Sequence, residues 1–534
     1  MVTKRLKYWW KLFQTEDSKG IIAGLAAHSG QISVGLSQGF SAILIPKLLD
    51  TNFATVSECS WIASLGVISN PVGALMAGIM AEFFGRKSAI AVATLPHIAG
   101  WLIIAFSTSV PLLYAGRIVS GIGTGMANGL YLYVSEVAAP HQRAWLASIG
   151  PVMVSFGVLI SYSLGAMTTW QNTAAISIAP AILSLALTRI LPETPAWLAT
   201  RGRIEEAKEA LLWLRGPGLS TDIEHNELSS SVSNLKLESS NSNIFHSNDD
   251  YSKIWKPFLI LLLFFALQQL SGIYIILFYA VSVLKDIGVS IDEYLGSVGI
   301  GAVRLLASIV GAALARNLGR KTLASISGLG MAASALGVAL SVRFEIPSLL
   351  PLTCVASHVG FSMIGYLTLP WVMTSELYPL RLRGIFGGLT TSIAQILTFA
   401  AVKSYPDVNS FLGLESTMWT FSAAGLLGAV FAMTILPETR GRSLDQIETG
   451  FTSGQSKIKS SIVTEPKNVT LKNFKNVSED KYPNMIANVY AYDNFTLDLT
   501  LDNVEKKNSQ QNTKNYQNDP RLEISCIPVE KLYL

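Results

Sequence analysis

Charge is what this chain has least of: Asp, Glu, Lys and Arg make up only 14% of its 534 residues, against roughly 25% in an ordinary soluble domain. A chain so poor in charge cannot cover the surface of a soluble globule. Half of its residues are hydrophobic and its mean hydropathy is +0.40, so it reads as an integral membrane protein. The net charge of +4 is too small on such a length to argue for a nucleic-acid partner. The three cysteines, Cys59, Cys354 and Cys526, stand too far apart for a metal-ligand spacing or a disulfide framework, and neither metal nor bridge is expected. No Gly-rich phosphate loop and no nucleophile elbow is found, which argues against an enzyme, and no cofactor is expected.

What the chain does have is long apolar runs. A helix needs about 20 mostly apolar residues to cross a bilayer. Twelve such runs are read, at about 21–46, 59–82, 88–107, 111–134, 145–167, 173–191, 257–284, 292–315, 321–342, 348–374, 384–404 and 414–436. The charged residues 1–20 form a short terminal segment, and the run behind them is longer than a signal-peptide core and has no clear cleavage site, so an uncleaved first span is expected. Even-to-odd turns carry Arg86, Lys87, Arg143, Arg316, Arg320, Lys321, Arg381 and Arg383. The odd-to-even loops carry only Lys47, Lys285, Arg343 and Lys403, each near an acid. By the positive-inside rule both termini are expected to be cytoplasmic.

Three landmarks recur in the same order. AEFFGRKSAI at 81–90 matches ARNLGRKTLA at 315–324, VSEVAAPHQRA at 134–144 matches TSELYPLRLRG at 374–384, and ILPET occurs at 190–194 and 435–439. The chain therefore reads as an all-α fold of two six-helix repeats, 21–191 and 257–436. They are joined by a cytoplasmic linker, 192–256, whose first part, RGRIEEAKEALLWLRG, has the pattern of an amphipathic surface helix and whose remainder is polar and flexible. Residues 437–534 read as a cytoplasmic tail, largely disordered after about 450. Its sequons at Asn468, Asn476 and Asn494 are expected to go unused, because glycosylation acts on the lumenal side. Two homologous halves on parallel axes are the architecture of alternating access to a midplane site.

Acids and bases recur at the ends of neighbouring spans: Arg86, Lys87, Glu136 and Arg143 in the first half, Arg320, Lys321, Glu376 and Arg383 in the second. Such groups are able to pair in one conformation and separate in another, which biases the two states. Serving only as positive-inside anchors is the alternative for the bases. Glu193 and Glu438, in the two ILPET copies, are assigned to the same gate network. For the solute, Gln268 and Gln269 lie inside the seventh run, where an amide either binds hydroxyls or clasps a neighbouring helix. Arg304, deep in the eighth run, either meets a substrate oxygen or pairs with a buried acceptor. The Gly-rich stretch GRIVSGIGTGMANGL signals close helix packing.

The motifs together carry a family resemblance over residues 20–448: GRK at 85–87 and 319–321, Gly116–Arg117, SEVAAPHQR at 135–143, PETPAWL at 192–198, QQLSG at 268–272, LPWVMTSELYPLRLRG at 369–384 and PETRGRSLDQIE at 437–448. The chain resembles the sugar porters of the major facilitator superfamily, with phrasing in GLSQGFSAILIP and IGYLTLPWVMTSELYP similar to the insect facilitated trehalose transporters. The resemblance implies a twelve-helix fold with an intracellular helical region, a plasma-membrane location, and a small sugar and the lipid bilayer as partners. It assigns no oligomeric state. It also implies that Arg117 joins the inner gate, that Trp371 stacks on a sugar ring unless it only packs, and that Tyr279 covers the site unless it belongs to the core.

Three departures stand out. Tyr274, kept among the candidate ligands, replaces an asparagine common in sugar porters, Pro151 replaces a glutamine, and Ala394 and Gln395 stand near the place of an Asn-Trp pair. Proton-linked sugar porters typically carry an aspartate in the first span. Here the stretch 30–46 has no acid, with Ser37 near that place. Facilitative transport of a neutral sugar, trehalose or a hexose, is therefore expected. A transporter-like sugar sensor acting through the tail and a porter of another polar or anionic solute are the alternatives.

Overall fold

A mostly apolar chain that must hydrogen-bond its backbone inside a bilayer forms helices. The computed structural model describes residues 18–216, 248–289, 291–346, 349–378 and 383–440, with isolated positions beyond. All belong to a unit running from Met1 to Gln455; a second unit, Ser456–Leu534, lies outside the described residues. The charged first residues, linker residues 217–247, the tail with its sequons, and the side chains of Arg143, Arg316, Arg381 and Arg383 also lie outside what is described.

The first half contains α1 (Ser18–His28), α2 (Gly30–Asp50), α3 (Val56–Ile68), α4 (Asn70–Phe84), α5 (Arg86–Ala105), α6 (Val110–Met126), α7 (Gly129–Val137), α8 (Pro140–Met167), α9 (Trp170–Ile176) and α10 (Ile178–Ile190). Two short helices follow, α11 (Pro195–Thr200) and α12 (Ile204–Arg215). The second half contains α13 (Asn248–Leu270), α14 (Ile273–Phe278), α15 (Ala280–Ile287), α16 (Glu293–Asn317), α17 (Arg320–Arg343), α18 (Leu349–Ile364), α19 (Leu369–Leu377) and α20 (Arg383–Thr434). Among the described residues nine helical stretches are long and apolar enough to cross a membrane. One of these, Ile385–Thr434, is two helices joined at Gly413, where φ is 77°. The Gly-rich α6–α7 and the shorter apolar helix ending at Leu270 complete twelve spans.

Many spans are interrupted. Span 1 breaks at Ser29, span 2 at Ser69, span 4 at Ala127–Asn128, span 6 at Ser177, span 7 at Ser271–Gly272 and again at Tyr279, and span 10 at Gly365–Thr368. Each break frees backbone groups that lipid cannot satisfy. Two breaks are closed the same way in the two halves. Gln31 of span 1 donates its amide N–H to Ala127 O at 3.2 Å, and Gln268 of span 7 donates to Tyr366 O. In each half, then, the first span clasps the broken fourth.

Small residues set the helix spacing. On α4, Gly73, Ala77 and Ala81 are buried while Leu75, Ile79 and Phe83 face outward, as 3.6-residue periodicity requires of a helix packed on one side. A Cβ at Gly73 would collide with the Ile122 carbonyl of α6. On α6 the glycines point two ways: Gly121 and Gly125 against span 2, Gly116 and Gly123 against span 3. α12 is amphipathic, burying Ala207, Ala210, Leu211 and Leu214 and placing Glu205 and Glu206 in its first turn.

Two glycines of α4 make a controlled test of this packing. Gly73→Ala should sharply reduce the yield of folded protein, because backbone cannot yield. At Gly78 a Cβ meets nothing within 4 Å, so Gly78→Ala should be neutral or stabilising by up to ~1 kcal/mol. Thermal unfolding of the detergent-solubilised variants reads both, and equal behaviour of the two would remove the close-packing argument.

Candidate functional site

Polar side chains collect in two places: at the end that carries the GRK turns, and between the halves.

At the GRK end each half builds the same cluster. α10 stops at Ile190 because the residue before Pro192 is driven to extended backbone, ψ 141° at Leu191. The chain then folds back, and Tyr133 donates its hydroxyl hydrogen to Pro192 O at 3.0 Å. This brings Glu193 onto the start of α5, where its carboxylate accepts the backbone N–H groups of Arg86 at 2.9 Å and Lys87 at 3.1 Å. In the second half Glu438 accepts those of Arg320 at 2.9 Å and Lys321 at 3.2 Å. Helix starts leave such N–H groups unpaired and carry partial positive charge, so a carboxylate is their natural partner. Glycine is required at the turn, since a Cβ at Gly85 or Gly319 would collide with that carboxylate.

The remaining members close a ring. Arg86 Nε donates to Glu136 at 3.2 Å and Arg320 Nη2 donates to Glu376 at 2.9 Å. Thr194 and Thr439 donate their hydroxyl hydrogens to the other oxygens of Glu136 and Glu376, both at 2.6 Å. Every described ion pair of these clusters joins elements of one half. Partial burial opposes the charge on Glu438, but the backbone N–H groups of Arg440, Arg320 and Lys321 and the charge of Arg320 outweigh it and hold the carboxyl below its usual range. The structure does not bring Arg117 to this ring. It lies on α6, seven residues from the opposite end of span 4, buried, donating to Ile62 O at 3.0 Å, Ser37 O at 3.2 Å and Ser41 Oγ at 2.7 Å.

The second collection spans the halves. Arg304 of α16 donates from Nη2 to Gln38 Oε1 of α2 at 3.1 Å. Tyr162 of α8 donates to Leu277 O at 2.8 Å. Arg304 lies within electrostatic reach of the Tyr162 and Tyr274 phenols, and the Tyr274 hydroxyl lies beside the Trp371 indole. Trp371, half-buried, meets the Phe265 ring edge-on with centroids 5.0 Å apart. Of the glutamine pair, Gln268 is engaged in the span 10 clasp, whereas Gln269 leaves Oε1 without a protein partner. Tyr279 is drawn into the second half instead: it donates to Val402 O at 3.1 Å and packs on Tyr405 with centroids 4.9 Å apart. Asn70, at the span 2 break, sits 3.3 Å from Gln395 of the other half. At the end opposite the GRK turns the halves are tied by Lys285 with Asp50 at 3.1 Å, by Lys403 over the Trp61 ring at 4.9 Å, and by Lys47 over the Tyr294 ring at 5.2 Å.

Sequence reasoning missed Gln31, Gln38, Asn70 and Tyr162, and the two threonines. Gln31 had a signal, since it precedes Gln268 by nearly the offset of the paired landmarks. Thr194 and Thr439 stood inside the repeated pentapeptide.

This arrangement of twelve spans in two clasped halves, with duplicated charge rings at one end and a polar seam between, is that of a membrane transporter of the major facilitator fold. In shape the chain matches the inward-open xylose transporter XylE from E. coli with a TM-score of 0.68, at 22% identity, over 80% of this chain and 98% of that one. Residues 24–451 match the family described as sugar (and other) transporter, and the chain belongs to that family. It is 30% identical to a facilitated trehalose transporter of Bombyx mori over 88% of this chain and 92% of that protein, and 32% identical to one of Polypedilum vanderplanki over 80% and 87%.

The Glu438 geometry fixes a pH dependence. A carboxyl held below its ordinary value of 4.5 contributes stability that is present above that value and lost as pH falls through the folded one. Glu438→Gln removes the contribution at every pH. The melting temperature gap between wild type and variant should therefore be largest at neutral pH and shrink below about pH 4.5. A gap that stays constant would mean that the ionised carboxylate contributes nothing.

Proposed function

We propose that the chain carries a neutral sugar, trehalose or a hexose, across the plasma membrane down its gradient by alternating access, with both termini cytoplasmic. The observation that carries the uniport reading is the environment of Arg117. A proton-coupled carrier needs an interior group whose protonation follows the cycle, and a carboxylate beside a buried guanidinium is suited to that. Arg117 meets two backbone carbonyls and a serine hydroxyl instead, none of which titrates. The curated relatives, named as facilitated trehalose transporters, support the same reading.

In this reading Gln269, Tyr274, Trp371 and Arg304 face the solute, with Trp371 stacking on a sugar ring, and Gln268 serves mainly as a clasp. Tyr279 acts through packing at the outer end. The GRK end is the cytoplasmic one. Its rings, Arg86, Lys87, Glu136 and Glu193 with Arg320, Lys321, Glu376 and Glu438, make the cytoplasmic end of each half a rigid body. Arg143 and Arg383 are assigned to the same gate. Ties between the halves at the opposite end and, among the described residues, ion pairs confined within each half at this one are what an inward-facing state requires.

Initial uptake of labelled trehalose, glucose and fructose by expressing cells, with and without a proton uncoupler, tests the proposal. Saturable uptake of one sugar that the uncoupler leaves unchanged is expected, and its abolition by the uncoupler would overturn uniport. Neutralising the rings gives a second check. Glu136→Gln or Glu376→Gln should lower the maximal rate about tenfold, equivalent to ~1.4 kcal/mol, while half-saturation moves little. A change in half-saturation alone would place these glutamates with the solute.

A further inference from the structure

Two arginines are buried among the spans, and their surroundings differ. Arg117 has three of its nitrogens bonded to neutral oxygens. Arg304 is only 3% exposed and is bonded through Nη2 alone, to Gln38; its Nε and Nη1 have no hydrogen-bond partner. The titratable groups that bear on it electrostatically are the phenols of Tyr162 on α8 and Tyr274 on α14. Both are neutral at physiological pH, and Tyr162 uses its hydroxyl hydrogen on Leu277 O. Among the described residues no ion pair to Arg304 is formed. A guanidinium does not shed its proton in a protein, so neutralisation by titration is closed to it. Nη2 shares one edge of the guanidinium with Nε and the other with Nη1, and each edge is a planar fork that takes an anion bidentately. A buried cation with donors left over, lodged between helices of opposite halves, is placed to hold a ligand.

We propose that Arg304 anchors a monovalent-anion subsite at the seam between the halves, next to Tyr274 and Trp371. The proposal rests on the reading of that region as the solute site and adds a charge requirement to it. Two sources share the chemistry: the carboxylate of a sugar acid, or a small free anion such as chloride that binds beside a neutral sugar. In either case the anion takes an edge that pairs Nη2 with Nε or with Nη1, through the Nη2 hydrogen that Gln38 does not use, so its arrival neutralises the seam without untying it.

The test uses the full chain, purified in detergent, with thermal unfolding followed during titration with sodium chloride or sodium glucuronate against a sulfate background of matched ionic strength. A saturable rise in melting temperature is expected for the wild type and none for Arg304→Gln. Arg304→Lys, which keeps the charge but not the fork, should respond more weakly. A response to glucuronate alone assigns the site to a solute carboxylate. A response to chloride assigns it to a co-ion, and sugar uptake into liposomes should then fall on the order of tenfold when chloride is replaced by sulfate. No response in the folded wild type, or an equal one in Arg304→Gln, overturns the proposal. Should Arg304→Gln fail to fold, Arg304→Lys carries the comparison: an undiminished response there counts against the fork. Because binding is read without transport, a wild type that carries no sugar would sink the proposed function and leave the anion site to be judged on its melting curves.

Discussion

The carboxylate seated on a helix start is the interaction on which one end of the molecule depends. α5 and α17 begin at Arg86 and Arg320 with unpaired N–H groups, and Glu193 and Glu438 arrive from the far end of the half to accept them. Each therefore brings the last span of its half onto the start of the third. Once that contact is made, Thr194 and Thr439 fall within reach of Glu136 and Glu376, and the arginine that opens the helix closes the ring. The five residues of ILPET carry this through a division of labour. Proline stops the helix, glutamate docks on another, and threonine ties in a third. Leu191 and Leu436 are buried beside them, which anchors the returning chain in the apolar part of the half.

The amide clasps hold the interior of each half as the rings hold its end. A span broken at Ala127 or at Tyr366 would expose carbonyls to lipid, at a cost of several kcal/mol per unsatisfied group. Gln31 and Gln268 remove that cost by reaching across from the first span of the same half. The breaks thus become fixed bends. A pair of six-helix bodies, each tied internally at its end and at its bends, is suited to rock as a unit, because the contacts that change are then only those of the seam and of the two openings.

The spans, their duplication and the pairing of landmarks were legible because hydropathy and motif spacing are properties of single segments. The interruptions were not. Local breakers stand at several of them, Ser29-Gly30, Asn70-Pro71 and Asn128-Gly129, but such dipeptides are also tolerated inside spans, and it is packing against another helix that turns them into breaks. Arg117 shows a different failure. Its motif suggested a place in the gate, yet its position near the start of span 4 put it at the opposite end from Glu136 on the same span, and counting along that span would have separated them. Gln268 was read with two roles open, and the contact that engages its amide, with Tyr366 O on span 10, is a long-range one that no local pattern signals. At Arg304 the oddity, a charge deep in a span, was plain from hydropathy, but only the three-dimensional neighbours revealed that phenols and an amide surround it.

A permanent cation in the interior also constrains the cycle. Placing an arginine at the centre of a membrane helix costs about 2.5 to 3.5 kcal/mol on insertion scales, and a carrier that rocks must bear that cost in both of its states. Arg117 solves the problem inside one body: its acceptors lie on α2 and α3 of the same half and move with it, so the charge contributes nothing to the difference between states. Arg304 cannot do so, because Gln38 belongs to the other half. When the halves move, its one protein acceptor moves relative to it. The cost of losing that acceptor falls on whichever state parts the pair, unless something that travels with the seam takes its place. A ligand held by Arg304 would serve, and it would couple occupancy of the seam to the ease with which the halves change position.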